Sequence, residues 1–117
     1  MDMEKRPNNI LGVAGSMCSD SQSIKALKIA LNLVKKRGAE VRMLDLSKTI
    51  LPFRDPGAPA PAQVKATAND VVWADAFILA SPDYHGSMSG ATKNFTTFIP
   101  NLQARYLHTS LHRTKKV

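Results

Sequence analysis

Three short apolar runs constrain this chain more than any other feature. They are Ile10-Leu11-Gly12-Val13-Ala14, Val41 to Leu46, and Ala76-Phe77-Ile78-Leu79-Ala80. The first and third are continuously apolar, as strands buried on both faces of a parallel sheet are. The second alternates imperfectly, with Val41, Met43 and Asp45 set against Arg42, Leu44 and Leu46. Intervals of roughly 10 to 30 residues separate successive runs, which leaves room for right-handed crossovers between parallel strands.

The intervals themselves read as helices. From Ser21 to Arg37 the apolar residues Ile24, Leu27, Leu31 and Val34 recur at helical spacing, and Lys25, Lys28, Lys35 and Lys36 take much of the other face. Ser21 or Ser23 can cap the start of this helix, and Gly38 closes it after a basic last turn. A second helix is predicted from Ala62 to Ala74 with Val64, Ala68, Val71 and Val72 on one face. Pro52, Pro56, Pro59 and Pro61 rule out a regular element in the loop before it. Ser89 is placed to cap a third helix from Gly90 to about Phe98, ended by Pro100. The order β-α-β-α-β-α predicts an α/β fold with helices on both faces of a parallel sheet. No repeat and no second domain are visible in the 117 residues.

The formal net charge of +7 raises the question of a nucleic-acid partner, and its distribution answers it. Residues 1–100 hold 12 Lys/Arg against 9 Asp/Glu, whereas Arg105, Arg113, Lys115 and Lys116 in the last stretch face no acid. The basicity belongs to a tail, 101–117, and no nucleic-acid reading motif accompanies it. His108 and His112 are four apart, a metal-ligand spacing, but no acid or cysteine stands nearby to complete a set. The single cysteine, Cys18, excludes an intrachain disulfide framework and a multi-thiolate zinc site. No apolar run reaches the roughly 18 residues of a membrane span, so the expected address is the cytoplasm, with no membrane partner.

Ligands of open α/β sheets sit beyond the carboxyl ends of the strands, and two such loops here have unusual compositions. The first is Gly15-Ser16-Met17-Cys18-Ser19-Asp20-Ser21-Gln22-Ser23, leading into the strongest helix. Unpaired N–H groups at a helix start suit a phosphate, and the serine hydroxyls add donors without bulk. The same serines also serve as ordinary helix caps. There is no Walker ending and no GxGxxG fingerprint, and no arginine follows Cys18 as it would in a phosphatase loop. The second loop, Ser81 to Gly90, combines Tyr84, His85 and Gly86 with several hydroxyls. A ring, an imidazole and a glycine open to close approach suit a flat ligand.

These residues carry a resemblance. Ser81-Pro82-Asp83-Tyr84-His85-Gly86-Ser87 followed by Ser89-Gly90-Ala91-Thr92-Lys93-Asn94 resembles the second loop of the NADPH-dependent FMN reductase family, which includes azo, quinone and chromate reductases. The family's first loop, Gly-Ser-x-Arg-x-x-Ser, maps onto Gly15 to Ser21, with Cys18 at the arginine position. The resemblance runs from about Ile10 to Phe95 and implies a flavodoxin-like, three-layer α/β/α fold. It implies that Ser16, Cys18, Ser21 and Ser23 meet the FMN phosphate. Pro82, Asp83, Tyr84, His85, Gly86 and Ser87 would wrap the ribityl chain and the ring edge. FMN would take hydride from NADPH or NADH and pass electrons to a small-molecule acceptor, with no catalytic nucleophile from the protein. Lys93 and Asn94 are expected to serve the helix and its neighbours, and pairing of two copies is expected.

The family sheet has five strands in order 2-1-3-4-5, of which strands 2-1-3 are readable and strands 4-5 missing. The expectation is therefore a truncated FMN-binding domain in residues 1–100 followed by a tail that is not family-like. Two further readings remain open: a binding module for FMN or another phosphate ligand without turnover, and a basic-tailed interaction protein on an α/β scaffold.

Overall fold

A computed structural model describes residues 7–18, 20–59 and 61–97. The described elements run β1 (Asn9–Ala14), α1 (Gln22–Lys36), β2 (Glu40–Asp45), α2 (Ala62–Trp73), β3 (Ala76–Ala80) and α3 (Gly90–Thr97). The three strands form a parallel sheet in the order β2-β1-β3. Central β1 pairs Ile10 with Val41 on one side and with Ala76 on the other. The order 2-1-3 and the helical crossovers match the α/β expectation.

The period of two along β1 divides the core into two layers. Ile10 and Ala14 face α1 and pack with Ile24, Leu27 and Leu31. Leu11 and Val13 face the opposite way and pack with Leu44, Leu46 and Phe95, joined by Val71 of α2 and Ala91 of α3. Each fully buried side chain of this kind stabilises the fold by about 1.5–3 kcal/mol, so both faces of β1 contribute. Gly12 lies on the α1 face, and a Cβ there would come within 2.6 Å of Leu31 Cδ1 and 3.0 Å of Leu27 Cδ1. The missing side chain lets α1 lie close against the middle of the sheet.

The ends of α1 are set as its sequence predicts. Ser21 is the N-cap and its Oγ accepts the Ile24 N–H. At the other end Gly38 has φ +100°, and the Gly38 and Ala39 N–H groups donate to the Lys35 and Val34 carbonyls. That is the left-handed closure glycine permits without a Cβ penalty. On the far side of the sheet, the Arg42 guanidinium stacks 4.1 Å over the Trp73 ring and donates to Asp70 Oδ1 at 3.0 Å, tying β2 to the end of α2.

One sequence expectation needs correction. The buried residues of α2 are Val64 and Thr67, with Val71 partly buried, while Ala68 is exposed and Val72 is 85% exposed. The helix is rotated so that Val64, Thr67 and Val71 turn inward. Valine and alanine at 72 and 68 suggested a face by composition, but docking against β1 and β2 takes the i, i+3, i+7 set instead. Residues 98–117 lie outside the described residues, and with them the expected helix end at Phe98 and Pro100, the pair His108 and His112, and the basic tail. No described helix is long and apolar enough to cross a membrane.

Replacing Gly12 with valine should overpack the interface between β1 and α1. We expect a loss of about 1–3 kcal/mol in urea unfolding, with the m-value unchanged. Substituting the exposed Val72 by threonine should stay within about 0.5 kcal/mol of the parent.

Candidate functional site

Both serine- and glycine-rich loops leave the carboxyl ends of strands on the two sides of the β1/β3 boundary. The first joins β1 to α1. Ser16, at its base, is 4% exposed, and its Oγ accepts the Cys18 N–H at 3.1 Å. This leaves the Ser16 hydroxyl proton for another acceptor. Ser21 Oγ caps α1 and lies 3.0 Å from Ser23 Oγ, so these two hydroxyls stand together at the helix start. Cys18 is exposed at the arginine position of the motif. Asp20 is also exposed and meets Lys25 of the first helical turn at 3.5 Å, which partly offsets an acid in a loop suited to anions.

The second loop joins β3 to α3, and its tip is a two-residue hairpin. Tyr84 and Ser87 exchange backbone hydrogen bonds at 2.9 and 3.2 Å around His85 and Gly86. Both central residues have positive φ, 55° at His85 and 78° at Gly86, as a type I′ turn requires. Glycine takes this conformation freely, and histidine is among the side chains that tolerate it best. Nothing lies within 4 Å of the position a Cβ would take on Gly86, so that surface is open to an incoming group. Tyr84 is 55% exposed, Asp83, His85 and Ser87 are exposed, and Pro82 is half-buried.

The bases of the two loops are joined at Gly15. Its N–H donates to the Ala80 carbonyl at 2.8 Å, and its carbonyl accepts from Ser89 Oγ at 2.7 Å. Ser81 closes the second loop, its Oγ accepting the Ser89 N–H at 2.8 Å and donating to the Pro82 carbonyl. Thus Ser16 sits beside the base of the loop that carries Pro82 to Ser87, whereas the Tyr84–Ser87 tip projects outward. Ser89 caps the helix as its position predicts, while the contacts of Ser81 and Thr92, both within the second-loop motif, are not assigned by the motif itself. Ser81 and Ser89 bracket the turn and Thr92 follows three residues later, a spacing of hydroxyls that marks a closed loop base. Asn94 donates to the Leu51 and Pro52 carbonyls at 3.1 and 3.0 Å, so it holds the proline-rich segment. Lys93 is exposed.

The chemistry of this donor set fits a flavin mononucleotide. Hydroxyls and a helix start offer neutral and partly positive donors to a phosphate, and an exposed ring beside an open glycine suits a flat polycycle. Among the described residues no group of three or more His, Cys, Asp or Glu is placed to hold a metal ion. The turn can be tested on its own. Gly86→Val should destabilise the fold by about 1–2 kcal/mol, because a β-branched residue resists positive φ. His85→Gly should be tolerated or mildly stabilising in the same thermal unfolding measurement.

Comparison with known proteins gives the family and the fold. Residues 8–110 match the family described as NADPH-dependent FMN reductase, a stretch extending beyond the motifs at both ends. A NAD(P)H-dependent FMN reductase of Pseudomonas aeruginosa is 35% identical over 86 residues, covering 73% of this chain and 46% of the relative. Among solved structures, an NADH:FMN oxidoreductase in its apo form superposes with a TM-score of 0.66 at 26% identity, covering 80% of this chain and 50% of its own. The NAD(P)H:acceptor flavoenzyme FerB of Paracoccus denitrificans gives 0.65 at 25%, with 78% and 50% covered. The chain spans about half the length of the curated relatives it matches. With its flavodoxin-like β2-β1-β3 sheet and a match over most of its length, the chain belongs to the NADPH-dependent FMN reductase family.

Proposed function

We propose that this chain is the FMN-binding part of an NAD(P)H-dependent reductase that passes electrons to a small acceptor, such as a flavin, quinone, azo compound or metal oxyanion. The observation that carries the reading is the joining of a capped helix start to an open-glycine hairpin through Gly15. Ser16, Cys18, Ser21 and Ser23 form the phosphate end, and Pro82 to Ser87 form the ribityl and ring end. When bound at these residues, FMN would supply the redox chemistry that links a nicotinamide donor to the acceptor. The chain's own residues bind and orient. Ser16 and Ser23 donate toward the phosphate, Gly86 permits close approach, and Tyr84 offers its ring face. A cytoplasmic address and pairing of two copies belong to the same proposal.

Cys18 favours a second reading, a flavin-binding module without turnover. An exposed cysteine stands where the motif has a cation, and a charge-assisted hydrogen bond is worth about 1.5–3 kcal/mol. Its absence lowers affinity by roughly ten- to a hundredfold. The interaction-protein reading rests on the tail, outside the described residues.

Two measurements separate these. Cys18→Arg should tighten FMN binding by roughly ten- to a hundredfold in a fluorescence titration; an unchanged affinity would place the phosphate elsewhere. FMN-loaded full chain should oxidise NADPH or NADH when given a quinone or azo acceptor. Loaded protein that leaves both nicotinamides unoxidised supports the module and ends the reductase proposal.

A further inference from the structure

Ser89 and Thr92 form a buried hydroxyl pair beneath both loops, 3% and 1% exposed. Their proton arrangement follows from the contacts. Ser89 has one hydroxyl proton, and it goes to the Gly15 carbonyl at 2.7 Å. The 2.9 Å contact between Ser89 Oγ and Thr92 Oγ1 therefore has Thr92 as the donor. Ser89 Oγ also accepts the Thr92 N–H at 3.1 Å, so its acceptor sites are filled. Gly15 is the matching half, because a Cβ on it would overlap the Thr92 hydroxyl. The pair thus fixes where the end of β1 sits against the start of α3.

We infer that Ser89 and Thr92 are positioning residues that hold the phosphate end of the site in register with its ring end. This rests on the FMN reading and adds that the first loop is aligned from α3, across 74 residues of sequence. Ser89 has two separable tasks. It caps α3 through the Thr92 N–H, and it fixes the first loop through the Gly15 carbonyl. Thr92 supports the second task without being the cap, so Thr92→Val disturbs the latch and leaves the capping oxygen in place.

The test compares the full-length parent, Ser89→Ala, Ser89→Thr and Thr92→Val. Three readouts are taken: thermal unfolding, amide hydrogen exchange over residues 15–18, and titration with FMN and with riboflavin, which lacks the phosphate. Ser89→Ala should speed exchange over 15–18 and weaken FMN by about tenfold, since a buried carbonyl loses its donor. Riboflavin affinity should stay within about twofold, because the disturbed end is the phosphate end. Thr92→Val should act in the same direction with smaller size, and Ser89→Thr should restore parent behaviour. If Ser89→Ala does not fold, Thr92→Val decides by the same comparison. Parent-like exchange over 15–18 in a folded variant overturns the latch, and so does an equal loss of FMN and riboflavin affinity. A parent that binds no FMN overturns the reading beneath it, while the exchange comparison still decides the latch.

Discussion

Close approach at Gly15 organises the carboxyl edge of this sheet. The residue has no side chain, so the end of β1 can sit against both the last carbonyl of β3 and the buried hydroxyls at the start of α3. All the geometry above that point follows from this packing. The first loop begins at Gly15, the second is closed by Ser81 and Ser89 directly beneath it, and the two helices that start from these loops pack on opposite faces of β1. Gly12 plays the corresponding part lower in the strand, where it lets Leu27 and Leu31 approach the sheet. The central strand is therefore shaped as much by Gly12 and the adjoining Gly15 as by its buried leucine and valine.

Polar and apolar terms act at different places. Burial on both faces of β1 supplies the stability, through two side-chain layers separated by the sheet. Hydrogen bonds along the carboxyl edge add less net energy, but leaving one unmade is costly, so they select one arrangement of the loops. The charged contacts Lys25–Asp20 and Arg42–Asp70 are partly exposed and contribute mainly to local orientation.

Much of this was legible in the sequence. The three runs mark strands within a residue or so, the first and third because a continuous apolar run has few alternatives in a parallel sheet and the second through its partial alternation. Ser21, Gly38 and Ser89 marked helix ends through capping chemistry that acts locally. The docking face of α2 is not legible at Ala68 and Val72, since which stripe docks depends on the sheet it meets and not on the helix alone. Within the second loop, composition points to a ligand site but does not specify the I′ turn at His85 and Gly86. A histidine at positive φ has no strong one-residue signal. The link from Ser89 to Gly15 was invisible for a different reason: it spans 74 positions and exists only once the strands are paired.

The proposed site has a phosphate end and a ring end built from two loops that meet at Gly15. Isothermal titration of the full chain with FMN and, separately, with riboflavin tests it most directly. The two-ended site predicts that both ligands bind and that FMN binds at least about tenfold more tightly, the difference being the phosphate's contacts with the first loop. Equal affinities for the two, or no heat and no flavin retained with either, would contradict it.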